Sequence, residues 1–219
     1  MHIHLLGYSE STIARILSLL AAKGYTEDVT IVQNMQMPES IPFCPPGITC
    51  KKLWWEQWKF QPAQQYCHLA VMKPVSRKNV YDFFAKNCGI RKEHYTSIIH
   101  PSSVIDSTVS MESGCTVEPL TVITSFTKLG FGVYINRSCS IGHHIIIGDF
   151  VSINPGVHIA GHCSIGQGTQ IGIGTIVFDH IKIGSNSIIG GGSVVTKDIP
   201  SNVIAWGNPC KVVKNISEA

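Results

Sequence analysis

The sequence predicts an all-β solenoid of short strands preceded by a small α/β domain, and three patterns support this prediction. Aliphatic residues recur at every sixth position over 91 residues of the C-terminal part. Neither an α-helix nor an ordinary hairpin sheet keeps a period of six for so long, whereas solenoids do. Small or β-branched residues recur two positions before each aliphatic residue, and strand-like and helix-like segments alternate in the N-terminal part.

The N-terminal part is expected to fold as a βαβ-type domain. Strands are predicted at residues 2–7, 29–32 and 68–72, and helices at residues 11–24 and 76–88. Strands that alternate with helices favour a small parallel sheet. The first domain therefore spans residues 1–97, and the second spans residues 98–219, because the period of six begins near residue 98.

The stretch between the second and third predicted strands is not assigned by its pattern alone. Four prolines interrupt it, namely Pro38, Pro42, Pro45 and Pro46. Three of the four tryptophans, Trp54, Trp55 and Trp58, follow within residues 51–60. This segment is either a short helix that covers the sheet or a surface patch that faces a partner, and we favour the helix.

The period of six places two sets of residues on the inner face of the predicted strands. Residues two apart on a strand point to the same side, so both sets would face inward. Three strands would close an 18-residue triangular coil, and stacked coils would pair their backbone groups. The aliphatic set is Ile105, Met111, Val117, Ile123, Leu129, Ile135, Ile141, Ile147, Ile153, Ile159, Ile165, Ile171, Val177, Ile183, Ile189 and Val195. The smaller set is Ser103, Val109, Cys115, Thr121, Thr127, Val133, Cys139, Ile145, Val151, Val157, Cys163, Thr169, Thr175, Ile181, Ser187 and Ser193.

Glycine directly follows six of the aliphatic residues, where we expect tight corners that favour a residue without Cβ. These glycines are Gly142, Gly148, Gly166, Gly172, Gly184 and Gly190. Three cysteines of the smaller set, Cys115, Cys139 and Cys163, are expected to fill the core rather than to react. The period stops after Val195, and the remaining residues are expected to form an irregular tail.

Charge and composition exclude several classes of protein. The net charge is +3 with 14% charged residues and no basic stripe, which argues against a nucleic-acid partner. No window approaches about 18 consecutive apolar residues, so we expect no membrane span. The N-terminus has no signal-peptide pattern, and the eight cysteines show no paired spacing, so we expect a cytoplasmic protein with free thiols.

Four motifs carry a resemblance to a known family over nearly the whole chain. They are IHPSS at residues 99–103, NRSCSIGHHIIIGD at 136–149, GGGSVVTKD at 190–198 and GNPCK at 207–211. Their order resembles that of the left-handed β-helix (hexapeptide-repeat) acyltransferases of the sialic acid O-acetyltransferase and nucleotide-amino-sugar N-acetyltransferase type. The resemblance implies a left-handed parallel β-helix with a small Rossmann-like N-terminal domain. It also implies a homotrimer that binds acetyl-CoA between neighbouring β-helices and an acceptor sugar nucleotide on each N-terminal domain.

The resemblance also implies roles for individual residues. It makes His143 the general base, and an imidazole is suited to this role because it titrates near neutral pH. It gives the backbone N–H of Gly161 the role of binding the thioester oxygen. The implied acceptor-binding residues are Asn136, Gly7, Ser9, Ser11, Gln33 and Asn34. The implied CoA-binding residues are Gly161, Gly172, Gly174, Gly190, Gly191 and Lys211.

Two departures from the family pattern affect the predicted site. The family usually has Asp or Glu after the base to orient the imidazole, and this chain has His144. The orienting group is then Asp149, Asp179 or a backbone carbonyl. In the N-terminal domain, Glu10 would repel a phosphate at the expected nucleotide site, and Gln33 with Asn34 replaces an expected acidic pair. The acceptor therefore carries a different nucleotide or none.

A spacing of 18 places His144, His162 and His180 at one corner of three successive coils. The γ-type carbonic anhydrases use this fold and three metal-binding histidines, two of them five residues apart. The residue five after His180 is Ser185, so we predict a stacked histidine ladder and no metal site. Our preferred function is acetyl-CoA-dependent N-acetylation of a nucleotide-linked 4-amino-4,6-dideoxy sugar in cell-surface glycan biosynthesis. The alternatives are O-acetylation of a sialic-acid-like sugar, a γ-type carbonic anhydrase and a non-catalytic ligand-binding scaffold.

Overall fold

The computed structural model of the chain describes residues 2–36, 44–62 and 65–216. Two structural units divide the chain, Met1–Pro101 and Ser102–Ala219. This division lies four residues after the boundary proposed from the sequence. Pro38 and Pro42, which were expected to interrupt the N-terminal part, lie outside the described residues. None of the described helices is both long and apolar enough to cross a membrane.

A parallel sheet with helices forms the first unit, as the alternating pattern predicts. The strands are β1 (His2–Leu6), β2 (Val29–Gln33), β3 (Cys50–Trp54) and β4 (Gln65–Leu69), and the helices are α1 (Glu10–Ala22) and α2 (Pro74–Cys88). The strand order is β3-β2-β1-β4, and all pairs are parallel. Helix α1 buries Ile13, Ile16 and Leu17 in a cluster with Ile3 and Leu5 of β1. Burial of these side chains joins the helix to the sheet.

The tryptophan segment is not a helix, and our preferred assignment was wrong. Residues 50–54 form the edge strand β3, which pairs with β2 in the register Val29↔Cys50. Only a short 3-10 turn follows at Trp55–Gln57. Trp58 then turns back and is buried against Phe84, with ring centroids 5.8 Å apart. The third predicted strand is β4, which begins three residues before the predicted start at residue 68.

The second unit consists of two-residue strands that stack every 18 residues. After β5 (Ile98–Ile99), which ends the first unit, the strands are β6 (Val104–Ile105), β7 (Ser110–Met111), β8 (Thr116–Val117), β9 (Val122–Ile123), β10 (Lys128–Leu129), β11 (Tyr134–Ile135), β12 (Ser140–Ile141), β13 (Ile146–Ile147), β14 (Ser152–Ile153), β15 (His158–Ile159), β16 (Ser164–Ile165), β17 (Gln170–Ile171), β18 (Ile176–Val177), β19 (Lys182–Ile183), β20 (Ile188–Ile189), β21 (Val194–Val195), β22 (Val203–Trp206) and β23 (Lys211–Asn215). Three sheets result. Sheet 1 runs β8-β11-β14-β17-β20-β22-β23, sheet 2 runs β6-β9-β12-β15-β18-β21, and sheet 3 runs β7-β10-β13-β16-β19. A parallel β-helix of triangular coils is the result.

Both inward sets behave as the period predicts, because burial begins at the second coil and continues to Val195. The three core cysteines Cys115, Cys139 and Cys163 are buried free thiols. Hydroxyl groups of the smaller set also form hydrogen bonds. Thr121 Oγ1 donates to the Asn136 carbonyl at 2.9 Å, and Thr127 Oγ1 donates to the Gly142 carbonyl at 2.8 Å. Small polar residues therefore satisfy corner carbonyls that the strand ladder leaves without donors.

Two expectations about the repeat need correction. The glycine after each aliphatic residue does not serve an unusual backbone angle but a close approach between coils. A Cβ on Gly142 would lie 2.9 Å from the carbonyl oxygen of Ile159 in the next coil. The tail after Val195 is also not irregular, because β22 continues sheet 1 in parallel and β23 returns antiparallel to it. This hairpin covers the last coil, whose edge would otherwise be open to pairing with another chain.

The inward register can be tested with two adjacent isoleucines of β13. Ile147 is 2% exposed and Ile146 is 57% exposed. Ile147→Asp should lower the free energy of unfolding by about 4 kcal/mol or more, because it places an unpaired carboxylate in the core. Ile146→Asp is the matched control and should change it by less than about 1 kcal/mol. Urea unfolding followed by circular dichroism measures both. Equal effects would show that the register is wrong.

A buried histidine of the first unit predicts a pH dependence of stability. His68 is 1% exposed, and its Nδ1 lies 2.9 Å from the carbonyl oxygen of Thr96. Burial, reinforced by the charge of Arg77, lowers its pKa from 6.5 to about 4. Since the unfolded chain binds this proton more readily, the stabilising contribution is complete above pH 6.5 and decreases as the pH falls towards 4.

The expected loss of stability across this pH range is roughly 3 kcal/mol. Tryptophan fluorescence in a Trp206→Phe background measures it, because the remaining tryptophans lie in the first unit. His68→Gln should reduce the pH dependence between 6.5 and 4 without abolishing it, because burial also lowers the pKa of His4 to about 4. An unchanged slope in that variant would assign the pH dependence to other groups.

Candidate functional site

The candidate base lies on an exposed corner of the second unit. Gly142 follows β12, and His143 and His144 form the bend that leads to β13. His144 has a left-handed backbone with φ of 55°, and its N–H donates to the carbonyl of Ser125 in the preceding coil at 2.9 Å. Both imidazoles are exposed. The corner therefore presents two adjacent rings to solvent from a backbone that is fixed by stacking.

Gly161 lies one coil beyond His143, and the imidazole of His143 lies over it. A Cβ on Gly161 would be 2.7 Å from Cε1 and from Nε2 of His143. The equivalent positions in the neighbouring coils are Ser125 and Asp179, so this turn accepts side chains where no ring lies above it. Among the described residues, the Gly161 N–H has no hydrogen-bond acceptor. Glycine at this position therefore leaves room for the His143 ring beside a free N–H.

His144, rather than one of the expected carboxylates, contacts Nδ1 of His143. Nδ1 of His143 lies 3.0 Å from Nδ1 of His144, and the two ring planes are 89° apart. The expected carboxylates have other partners. Asp149 Oδ1 accepts the N–H of Phe131 at 2.9 Å, and Asp179 Oδ2 lies 3.7 Å from Nε2 of His180. One imidazole thus takes the place in which the family has a carboxylate.

The predicted histidine ladder is confirmed, and the ring of Phe126 extends it by one coil. Phe126 and His144 have ring centroids 4.8 Å apart, and His144 and His162 have centroids 5.0 Å apart. His162 and His180 stack at 4.8 Å with planes only 4° apart. The pKa of His162 is lowered, chiefly by partial desolvation and then by electrostatic repulsion from His180, His143 and His144. The carboxylate of Asp179 opposes this effect. Ser185 lies on a different corner, so the γ-type pattern of histidines is not assembled.

Sequence reasoning missed that His162 also contacts the candidate base. The ring centroids of His143 and His162 are 5.0 Å apart, with planes at 89°. One ligand nitrogen of each of His143, His144 and His162 lies within 4.8 Å of the others. The spacing of 18 relates His144 to His162, but it does not show that the side chain of His143 leans over the next coil towards His162.

Most of the CoA-binding residues that the resemblance implies lie on another corner. Gly172, Gly174, Gly190 and Gly191 follow strands of sheet 1, on the same corner as Asn136. Sheet 2 separates this corner from that of His143. A shallow groove of about 420 Å³ crosses the outer face of sheet 2 and is lined in part by Ala160 and Phe178.

Asn136 and Lys211 of the second unit differ in exposure. Asn136 is 1% exposed, and its Oδ1 accepts the backbone N–H of Arg137 at 3.0 Å. Its side chain is therefore occupied by the local turn. Lys211 begins β23 and is exposed, so its ammonium is available to an anionic group.

In the first unit, the implied acceptor residues gather at the carboxyl ends of β1 and β2. Gly7 directly follows β1 with φ of +83°, and a Cβ there would be 2.9 Å from Val80 of α2. Ser9 is the N-cap residue of α1, and its Oγ accepts the hydroxyl of Thr12 at 3.0 Å. Gln33 ends β2, and its Nε2 is buried without a hydrogen-bond acceptor among the described residues. This edge of a parallel sheet is where ligands commonly bind.

Three further residues define the polarity of that edge. Asn34 follows Gln33 in a bend and is half-buried. Ser11 lies in the first turn of α1, with its Oγ 3.5 Å from that of Ser9. Glu10 is the first helical residue and is exposed, so the helix N-terminus carries a negative charge as the sequence predicts.

The contact between His143 and Gly161 predicts a specific effect of one methyl group. Gly161→Ala should displace the His143 ring, because the new Cβ would overlap it. Nitrogen-detected NMR of the histidine side chains should show shifted His143 and His144 signals with the signals of buried His68 unchanged. Asp179→Ala changes the equivalent turn of the next coil and is the control. Unchanged His143 signals in Gly161→Ala would contradict the packing described.

Comparisons with known proteins agree with the repeat. Residues 162–197 match the family model described as bacterial transferase hexapeptide (six repeats). No curated protein sequence matches the chain. Among solved structures, the acetyltransferase domain of PglB from Neisseria gonorrhoeae in complex with acetyl coenzyme A is 23% identical, with a TM-score of 0.83 over 97% of this chain and 98% of that chain.

Two further structures match over nearly the full length of both chains. A mutant of perosamine N-acetyltransferase from Caulobacter crescentus, in complex with CoA and GDP-perosamine, is 22% identical with a TM-score of 0.79 over 98% of this chain and 97% of that chain. WeeI from Acinetobacter baumannii is 21% identical with a TM-score of 0.69 over 97% of this chain and 100% of that chain. The predicted resemblance and fold class are confirmed. The chain contains the bacterial transferase hexapeptide repeat and has the left-handed β-helix fold of these acetyltransferases.

Proposed function

We propose that this protein transfers the acetyl group of acetyl-CoA to the amino group of a nucleotide-linked 4-amino-4,6-dideoxy sugar in cell-surface glycan biosynthesis. The observation that carries the proposal is the imidazole of His143 held against Gly161, whose N–H has no acceptor among the described residues. A general base beside an unpaired donor is the pair of groups that acyl transfer from a thioester needs. The similar structures with bound acetyl coenzyme A, CoA or GDP-perosamine support the choice of substrates.

His143 would act as the base through Nε2. Its Nδ1 contacts Nδ1 of His144, so one of the two nitrogens carries the shared hydrogen. If His143 Nδ1–H donates to His144, Nε2 of His143 keeps a lone pair and can accept a proton from the attacking amine. His144 then carries its own hydrogen on Nε2. In this arrangement His144 fixes the tautomer and the orientation of the base.

Gly161 would bind the oxygen of the thioester as it becomes an oxyanion. The amine nitrogen attacks the carbonyl carbon, Nε2 of His143 takes the amine proton, and the negative charge forms on the carbonyl oxygen beside the Gly161 N–H. The carbon–sulfur bond then breaks, and the thiolate of CoA leaves and takes a proton from the imidazolium. The products are the N-acetylated sugar and CoA. A single backbone N–H that needs no reorganisation is sufficient for this role.

The two units would divide the binding of the substrates. In the first unit, the buried Nε2 of Gln33 and the turn at Gly7 and Ser9 would hold the acceptor. Amide groups at Gln33 and Asn34 donate and accept hydrogen bonds, so they suit the edge of a base or a ribose hydroxyl. In the second unit, Gly161, the glycines after sheet 1 and Lys211 would contact CoA.

We also infer a cytoplasmic homotrimer. Several large apolar residues of the second unit are exposed, which is unusual unless another chain covers them. They include Leu120 at 66%, Phe126 at 55%, Ile173 at 62% and Phe178 at 49%. In the cytoplasm, acetyl-CoA and nucleotide sugars would be accessible to the protein.

Loss of the base should reduce catalysis and leave the fold intact. His143→Ala should lower kcat by a factor of about 10²–10⁴, because general-base catalysis contributes that much. Free-thiol release from acetyl-CoA measures the rate. His180→Asn is the matched control, because His180 lies on the same corner but its contacts are to His162 and Asp179. Near-normal turnover of His143→Ala would remove His143 as the base.

The acceptor is identified by the same assay with a panel of substrates. UDP-, GDP- and dTDP-linked 4-amino sugars should be compared with free sialic acid. Rapid thiol release with one nucleotide-linked amino sugar is expected. Release only with sialic acid would show O-acetylation instead, and no release with any acceptor, while acetyl-CoA still binds, would contradict the proposed substrate class.

A further inference from the structure

The three imidazoles at the corner of His143 come from two coils and face one another. The Nδ1 atoms of His143 and His144 are 3.0 Å apart. One ring nitrogen of each of His143, His144 and His162 lies within 4.8 Å of one from each of the other two rings. All three side chains are exposed, so their nitrogens are accessible from solvent. Backbone stacking fixes the distance between the coils, since the His162 N–H donates to the carbonyl of His143 at 2.9 Å.

We propose that His143, His144 and His162 form a binding site for a divalent transition-metal ion of the Zn²⁺ class. Zinc binds imidazole nitrogens at 2.0–2.1 Å, and two nitrogens on a tetrahedral ion are about 3.3 Å apart. The His143 and His144 nitrogens already have nearly this separation. The His162 nitrogen must approach by about 1.5 Å at most to complete the geometry.

Small rotations of the side chains achieve this approach. The planes of His144 and His162 are 25° apart rather than parallel, and the planes of His143 and His162 are 89° apart. Rings at such angles can direct lone pairs towards a common point, whereas the parallel rings of His162 and His180 cannot. His180 also lies beside the carboxylate of Asp179, at 3.7 Å. The site therefore has three protein ligands and leaves a fourth position for water.

The chemistry of the ligands determines which ions bind. Neutral imidazole suits zinc, copper and nickel, whereas magnesium and calcium require oxygen ligands. A metal ion would replace the hydrogen that His143 and His144 share.

The backbone conformation at this corner allows histidine-to-asparagine substitutions that cause little strain. His144, His162 and His180 have φ of 55°, 59° and 60°, a left-handed conformation that asparagine adopts readily. Asn186 and Asn202 already occupy this conformation elsewhere in the chain. His144→Asn and His162→Asn therefore remove ligands with little backbone strain. His180→Asn is the matched control, because it makes the same change one coil beyond the cluster.

Zinc binding is measured on the full chain by competition between ZnCl₂ and a chromophoric zinc indicator at pH 7.5. One Zn²⁺ per chain is expected, with binding that a large excess of MgCl₂ does not displace. His144→Asn and His162→Asn should each weaken binding by about tenfold or more, and His180→Asn by less than about threefold. Thermal unfolding of each variant shows that the fold is retained. The measurement uses no substrate, so its result is independent of the proposed acetyl transfer.

Three outcomes would overturn the site. The first is the absence of zinc binding by the unmodified chain. The second is an equal loss in His180→Asn and His162→Asn, which would show that the column of rings rather than the cluster matters. The third is a thiolate charge-transfer band when CoCl₂ is bound, because the chain has free cysteines that could bind the ion instead.

Discussion

The hydrogen bonds between successive coils are the interaction on which the second unit depends. The N–H of Gly142 donates to the carbonyl of Ile159 in the next coil at 2.8 Å, and this contact repeats along each corner. Because each strand has only two residues, no coil could pair its backbone groups alone. The coil of 18 residues is therefore the repeating structural unit of the fold. Every corner becomes a column of equivalent positions about 4.8 Å apart.

The candidate site follows directly from this column. His143 and Gly161 are equivalent positions of adjacent coils, and the His143 ring occupies the space that a Cβ on residue 161 would need. Ser125 and Asp179 occupy the same column without such a ring beside them and are not glycine. Stacking of the coils, rather than a loop, therefore brings the candidate base His143 close to Gly161. Such a site is as rigid as the solenoid that carries it.

The sequence predicted the part of the fold that repeats, and it failed where pairing is non-local or set by side-chain direction. The period located Ile141 and Cys139 in the core, because inward residues must be apolar or small. Edge strand β3 at Cys50–Trp54 escaped prediction, since its partner β2 lies about twenty residues earlier and bulky tryptophans obscure the alternation. The contact between His143 and His144 was also not predicted, because a period of six residues carries no information about side-chain rotamers. The roles of the site residues remain proposals that rest on geometry and resemblance.

One substitution relative to the family pattern underlies both proposals. The family usually has a carboxylate beside the base, whereas here Nδ1 of His143 contacts Nδ1 of the His144 imidazole. The same replacement adds a second nitrogen ligand 3.0 Å from the first. A residue that orients the base thus also completes a set of donors for a metal ion, so an ion bound there would occupy the group that the proposed acyl transfer requires.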